Sequence, residues 1–133
     1  MNILISDPIG QSGLEYLKKC GYTVSYEPTI SQEELLKKIA GYDALVVRSR
    51  TQVTKELIEK GMLLKVIARS GAGVDTIDVN AATQKNIVVV NAPGANAEAV
   101  AEHTIALILA LVRDLVQTAT SLSAGEWPKS TYR

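Results

Sequence analysis

A single cysteine, Cys20, stands in the whole sequence. No intrachain disulfide can form, and one free thiol fits a reducing compartment. Cys20 itself reads as a small packing residue rather than a nucleophile. Net charge is missing too: 14 basic and 14 acidic residues cancel. That leaves no basic footprint of the kind that DNA, RNA or an anionic membrane attracts. Long hydrophobic runs are absent. The most apolar stretch, TIALILALV at 104–112, has nine residues, whereas a bilayer span takes about 20. It reads as a buried helix face. The N-terminus, MNILISDP, lacks the basic start and apolar segment of a secretion signal. Repeats, low-complexity tracts and obvious linkers are lacking as well. These absences make a cytoplasmic location the expectation, with no nucleic-acid or membrane partner.

What remains is an ordinary globular composition: 133 residues, 47% apolar and 21% charged. That is the size of one domain. Short β-branched runs alternate with helical patterns. NILIS (2–6), TVSYE (23–27), ALVVRS (44–49), LKVIARS (64–70) and IVVVNAP (87–93) read as strands. Between them, QSGLEYLKKCG (11–21) places Leu14, Leu17 and Lys18 at helical spacing and stops on Gly21. SQEELLKKIAG (31–41) opens with Ser31 and carries Glu34 three residues on, a capping box, and ends on Gly41. TKELIEKG (54–61) is a short helix, and DVNAATQKN (78–86) another, with Asp78 at its N-cap. A long helix runs from about Ala97 to about Leu122.

Strands joined by helical crossovers are parallel, and both faces of such a sheet are covered. The runs ALVV, KVIA and IVVV are continuously apolar, as central parallel strands should be. The expected fold is therefore α/β: a doubly wound, five-stranded parallel sheet in a flavodoxin-like or Rossmann-like three-layer arrangement, with a long C-terminal helix. In such sheets ligands sit at the carboxyl ends of the strands. Those ends are SDPIG (6–10), EPT (27–29), RSRT (48–51), RSGAGVD (69–75) and NAPGAN (91–96).

RSGAGVD looks like the start of a dinucleotide fingerprint. A true fingerprint needs a third small residue so that the helix packs close to the strand. Here that place holds Thr76, with Asp75 beside it and Asp78 at the helix start. Carboxylates there repel the pyrophosphate that a helix N-terminus should attract. The acidic residue expected at the end of the next strand is also missing, because that strand ends in Asn91. A small-anion site fits better. Gly71 and Gly73 allow close backbone approach, and Arg48 and Arg69 end neighbouring strands. Guanidinium forks match carboxylate and phosphate in two-point contact. The bland alternative is that the glycines only form turns and the arginines pair with Asp7, Asp43 or Asp75.

ALVVRSRTQVTKELIEKG (44–61), LKVIARSGAGVDTIDVNAATQKNIVVVNAPGANAEAVAEHTIALILAL (64–111) and GEWPKSTYR (125–133) together resemble the D-isomer-specific 2-hydroxyacid dehydrogenases. The resemblance implies that residues 1–133 are the substrate-binding part of a two-domain, NAD-dependent enzyme. NAD would be bound mainly by a second domain, which supplies the catalytic Arg, Glu and His. The helix at 97–122 would cross to that domain, and GEWPKSTYR resembles the residues just before it. The chain alone would then carry no catalytic residue. His103, within the long helix beside Glu102, reads as a structural or interface histidine.

The resemblance also assigns binding residues. The backbone at Ala72 and Gly73 resembles the segment that binds the substrate carboxylate. Arg48 and Arg69 resemble side chains that face the anionic substrate, and Asn96 resembles an asparagine in the active-site cleft. Ala72 and Val100 match positions near the nicotinamide end of NAD. Substrates in the family include lactate, glycerate, glyoxylate, formate and phosphoglycerate. The basic RSR at 48–50 favours the doubly anionic phosphoglycerate. The parent would be a homo-oligomer, and this chain would self-associate through the exposed part of its apolar helix. A receiver module is disfavoured because the third strand ends in Arg48 where a phosphoacceptor Asp is needed. A flavin carrier is disfavoured because SDPIGQSG is a poor phosphate loop.

Overall fold

The computed structural model describes residues 1–127 and 129. Five short strands alternate with helices in the expected order. They are β1 (Asn2–Ile5), α1 (Gln11–Lys19), β2 (Thr23–Tyr26), α2 (Gln32–Lys38), β3 (Ala44–Val47), α3 (Lys55–Lys60), β4 (Val66–Arg69), α4 (Val79–Gln84) and β5 (Val88–Val90). Two further helices follow, α5 (Ala97–Val112) and α6 (Leu115–Ser123). All strands pair in parallel, in the order β2-β1-β3-β4-β5. The chain divides into two compact units, Met1–Ala95 and the part from Asn96 onward.

Local sequence explains the element ends. Ser31 Oγ accepts from Glu34 N at 3.2 Å while Glu34 reaches back to Ser31 N, a complete capping box. Thr54 and Asp78 cap α3 and α4 by accepting from Leu57 N and Ala81 N. Gly21 follows α1 with φ +80°, the left-handed turn that ends a helix without a Cβ penalty. Gly41 instead closes a short 3-10 turn, Ile39–Gly41, that extends α2.

The core lies on both sides of the sheet. Leu4, Leu45, Val47 and Ile67 point to one face, where Leu35 of α2, Leu57 and Ile58 of α3 and Ala82 of α4 cover them. Ile3, Ile5 and Ala44 point to the other and meet Leu14 of α1. The three-layer arrangement follows from this alternation.

Several expectations change. IVVV is an edge strand, not a central one, and Val88 and Val90 are exposed. Its apolar run packs on one side only, through Ile87 and Val89. Cys20 is exposed at the C-cap of α1, because the buried stripe of that helix runs through Leu14. The helical run from 97 to 122 is divided at Arg113 and Asp114. Asp114 takes a left-handed conformation, φ 48°, which an Asp tolerates better than most residues. The run 104–112 is not a buried face: α5 has no buried residue, and Ile105, Leu107, Ile108, Leu109, Leu111 and Val112 are all more than half exposed. Among the described residues no helix is long and apolar enough to cross a membrane. GEWPKSTYR lies partly outside the described residues.

Candidate anion site

The carboxyl end of β1 carries a buried polar cluster. Ser6, Asp7 and Thr51 are all buried. Asp7 Oδ2 accepts from Arg48 N at 2.6 Å and Thr51 N at 3.1 Å. Asp7 Oδ1 accepts from Thr51 Oγ1 at 2.8 Å and pairs with Arg50 Nε at 3.2 Å. Ser6 Oγ and Thr51 Oγ1 share a further bond at 2.9 Å. Arg50 spends its remaining donors on backbone carbonyls of Ile30, Pro28 and Ser6. Burial pushes the Asp7 carboxyl up. The donors on Arg48 and Thr51, with the Arg50 charge, outweigh it and hold the group below its ordinary value. One carboxylate thereby pins the whole RSRT turn.

That turn continues into the next. Arg69, last residue of β4, lies beside Val47 of β3 in register. Its Nε donates to Arg48 O at 2.8 Å, and its Nη1 pairs with Asp75 Oδ1 at 3.0 Å. Gly71 N donates to Arg69 O at 2.9 Å, and Asn91 Nδ2 donates to Ala72 O. The loop from Gly71 to Asp75 so wraps the guanidinium. Gly73 leaves room for this closeness. A Cβ there would stand 2.7 Å from Asp75 Oδ1 and 3.0 Å from Arg69 Nη1.

Arg48, Arg69, Gly71, Ala72 and Gly73 are thus brought together at the carboxyl ends of β3 and β4. The partner expected for Arg69 among the three aspartates is Asp75. Asp43 pairs with Lys65 and Asp7 with Arg50. Among the described residues no ion pair involves the exposed Arg48 guanidinium, whose backbone alone is held. Asn96 and Val100 belong to the second unit. Asn96 is the N-cap residue of α5 and its carbonyl accepts from Val100 N at 2.9 Å. Val100 and His103 are exposed on α5. Sequence reasoning missed Arg50 as a structural arginine and Asn91 as the clasp on Ala72. The signal for Arg50 was an aspartate directly after a buried strand, which needs charged partners.

The loop does not suit a pyrophosphate. It presents the exposed Asp75 carboxylate, and the third small position is the buried Thr76. Thr76 Oγ1 is, among the described residues, a buried side-chain atom without a hydrogen-bond partner. Thr76→Val is therefore expected to stabilise the fold by about 1 kcal/mol. A thermal melt should show a midpoint roughly 2–4 °C higher; a lower midpoint would mean that the hydroxyl is satisfied in solution. Beside the loop, a cleft of about 470 Å³ opens between α1 and the ends of β3 to β5, lined by Ile9, Leu17, Ala68, Arg69, Val90 and Asn91 among others.

The family model for the D-isomer specific 2-hydroxyacid dehydrogenase, catalytic domain, matches residues 3–126. The chain belongs to this family. D-3-phosphoglycerate dehydrogenase of Methanocaldococcus jannaschii is 47% identical over 133 residues, covering 100% of this chain and 25% of the relative. D-3-phosphoglycerate dehydrogenase of Archaeoglobus fulgidus is 45% identical over 132 residues, covering 99% and 25%. The chain spans about a quarter of the length of these curated relatives. A crystal structure of cofactor (NAD+)-bound 3-phosphoglycerate dehydrogenase in Entamoeba histolytica superposes with a TM-score of 0.74 at 34% identity, covering 85% of this chain and 39% of that one.

Proposed function

We propose that this chain forms the substrate-binding part of an NAD-dependent D-3-phosphoglycerate dehydrogenase, which oxidises 3-phosphoglycerate to 3-phosphohydroxypyruvate at the start of serine synthesis. The observation that carries the reading is the pair Arg48 and Arg69, joined through the Arg48 carbonyl beside Gly71–Gly73. Similarity to two phosphoglycerate dehydrogenases over essentially the whole chain supports the substrate. The substrate carboxylate rests on the backbone of Gly71, Ala72 and Gly73, and the arginines face its phosphate. Asn96, at the start of α5, is assigned as a further substrate contact. Ala72 and Val100 meet the nicotinamide end of NAD. The exposed apolar surface of Val100 suits a ring face. The pyrophosphate and the acid–base chemistry belong to a second domain, which supplies the catalytic residues. The apolar circumference of α5 supports a covered position in the homo-oligomeric parent, and self-association of the chain alone.

The test is an amide-resolved NMR titration with 3-phosphoglycerate, with D-lactate and NAD as comparisons. Saturable shifts at Gly71, Ala72, Gly73 and Asn96 with phosphoglycerate, and weaker ones with D-lactate, are the expected result. Stronger shifts with D-lactate would replace phosphoglycerate as the substrate. No shifts would mean a site that needs its second domain or another substrate, and the same titration on a chain extended through the cofactor domain separates the two.

A further inference from the structure

We infer that Asp75 is a resident carboxylate that closes the anion site on Arg69 until an incoming anion displaces it. The inference rests on the reading of Arg69 as a substrate contact and adds how access to it is controlled.

Three observations carry it. First, the Arg69 side chain is only 12% exposed, although it sits at the mouth of the sheet, whereas the Asp75 side chain that meets it is 74% exposed. The guanidinium is sealed and its partner is not. Second, the donors of Arg69 are already committed in part. Nε is held by Arg48 O at 2.8 Å, and Nη1 by Asp75 Oδ1 at 3.0 Å. The Nε bond is internal to the strand ends and fixes the plane of the fork. The Nη1 bond is the one made to an exposed loop. A ligand carboxylate or phosphate that takes two-point contact on this guanidinium must compete with Asp75 for it. Third, the loop is built to let Asp75 reach back. Gly73 leaves the space they fill: a Cβ there would stand 2.7 Å from Asp75 Oδ1 and 3.0 Å from Arg69 Nη1, so one side chain would have to shift. Gly71 is looser; a Cβ there would make ordinary contacts with the Arg69 guanidinium, the nearest at 3.7 Å. The carboxylate thus occupies the guanidinium much as a ligand carboxylate would, and it is held by one ion pair whose acidic side is exposed.

The Asp75 side of the pair is exposed, so the carboxylate regains water as it leaves and can be displaced by a stronger anion. While closed, it also places a negative charge at the site, which repels any anion. By mass action the closed pair lowers the affinity of every anion that needs this guanidinium by the same factor, and leaves an anion that does not touch Arg69 without that penalty. On binding, Asp75 swings out to solvent and the backbone of Gly73–Thr76 follows.

The test compares the unsubstituted chain with Asp75→Asn and Asp75→Ser, using 3-phosphoglycerate and D-glycerate as probes followed by NMR. Removing the resident charge should tighten phosphoglycerate binding by about two- to fivefold, and D-glycerate, which offers Arg69 no phosphate, by a smaller factor. The amides of Asp75 and Thr76 should move on binding in the unsubstituted chain. Binding by the unsubstituted chain that is unchanged or weakened in both variants would overturn the latch. Asp75 would then be a positioning residue for Arg69, and the functional reading would stand. Absence of binding in all three chains, and in the same three extended through the cofactor domain, would overturn both.

Discussion

Replacing Asp7 by alanine is expected to cost about 3 kcal/mol of folding stability. The side chain is fully buried, and it accepts from Arg48 N, Thr51 N and Thr51 Oγ1 while pairing with Arg50 Nε. Removal leaves the Arg48 and Thr51 backbone donors without partners, and the Thr51 hydroxyl with Ser6 Oγ alone, in a site that water reaches poorly. The cost stays near the lower end for a broken buried pair because the Arg50 side chain is half exposed and can turn to water. The same carboxylate predicts an acid limit. Its native pKa lies below the ordinary value, so the unfolded chain takes up the proton first as pH falls. The stabilisation from Asp7 is therefore complete above about pH 4 and is lost as pH falls further through the depressed native value. Urea unfolding at neutral and acid pH checks both. In Asp7→Asn the acid dependence should flatten. A variant that unfolds at the same urea concentration as the unsubstituted chain would show that the RSRT turn holds without its anchor.

The parallel sheet was legible because its signals are local. Ser31 and Glu34, Thr54, Asp78 and Gly21 punctuate the helices where their side chains or φ values require. Strand order was less so. ALVV and IVVV look alike as sequences, yet one is central and the other an edge with Val88 and Val90 exposed. A continuous apolar run states that a strand wants cover, not that it has neighbours on both sides. The break at Asp114 had no glycine or proline to announce it. LVRDLVQ continues the helical pattern, and only the left-handed φ of Asp114 interrupts it. At the site, arginines at strand ends were visible, but their division of labour was not. Arg48, Arg50 and Arg69 have the same chemistry in sequence. Only the fold turns Arg50 onto Asp7 and the carbonyls of Ser6, Pro28 and Ile30, leaving Arg48 exposed and Arg69 under the glycine loop.

Arg69→Ala is expected to weaken phosphoglycerate binding by about 10- to 100-fold, the loss of one or two charge-assisted hydrogen bonds. Arg69→Lys should recover little of it. A lysine keeps the charge but has no Nε to donate to Arg48 O, so the ammonium is neither planar nor held in register with the turn that Asp7 pins. Arg48→Ala should behave differently. Its guanidinium is exposed and unpaired among the described residues, so its loss should weaken phosphoglycerate more than glycerate while leaving the backbone path from Asp7 to Arg69 intact. Equal losses for both ligands would show that Arg48 does not read the phosphate. The decisive combination is Arg69→Ala with Asp75→Asn. The two side chains meet at 3.0 Å, so their effects must couple. If Asp75 acts by occupying Arg69, its removal has little left to release once the guanidinium is gone, and the gain seen in the single variant should largely vanish. A gain that persists undiminished would mean that Asp75 repels the ligand by its charge alone, acting on whatever else holds the anion in the loop.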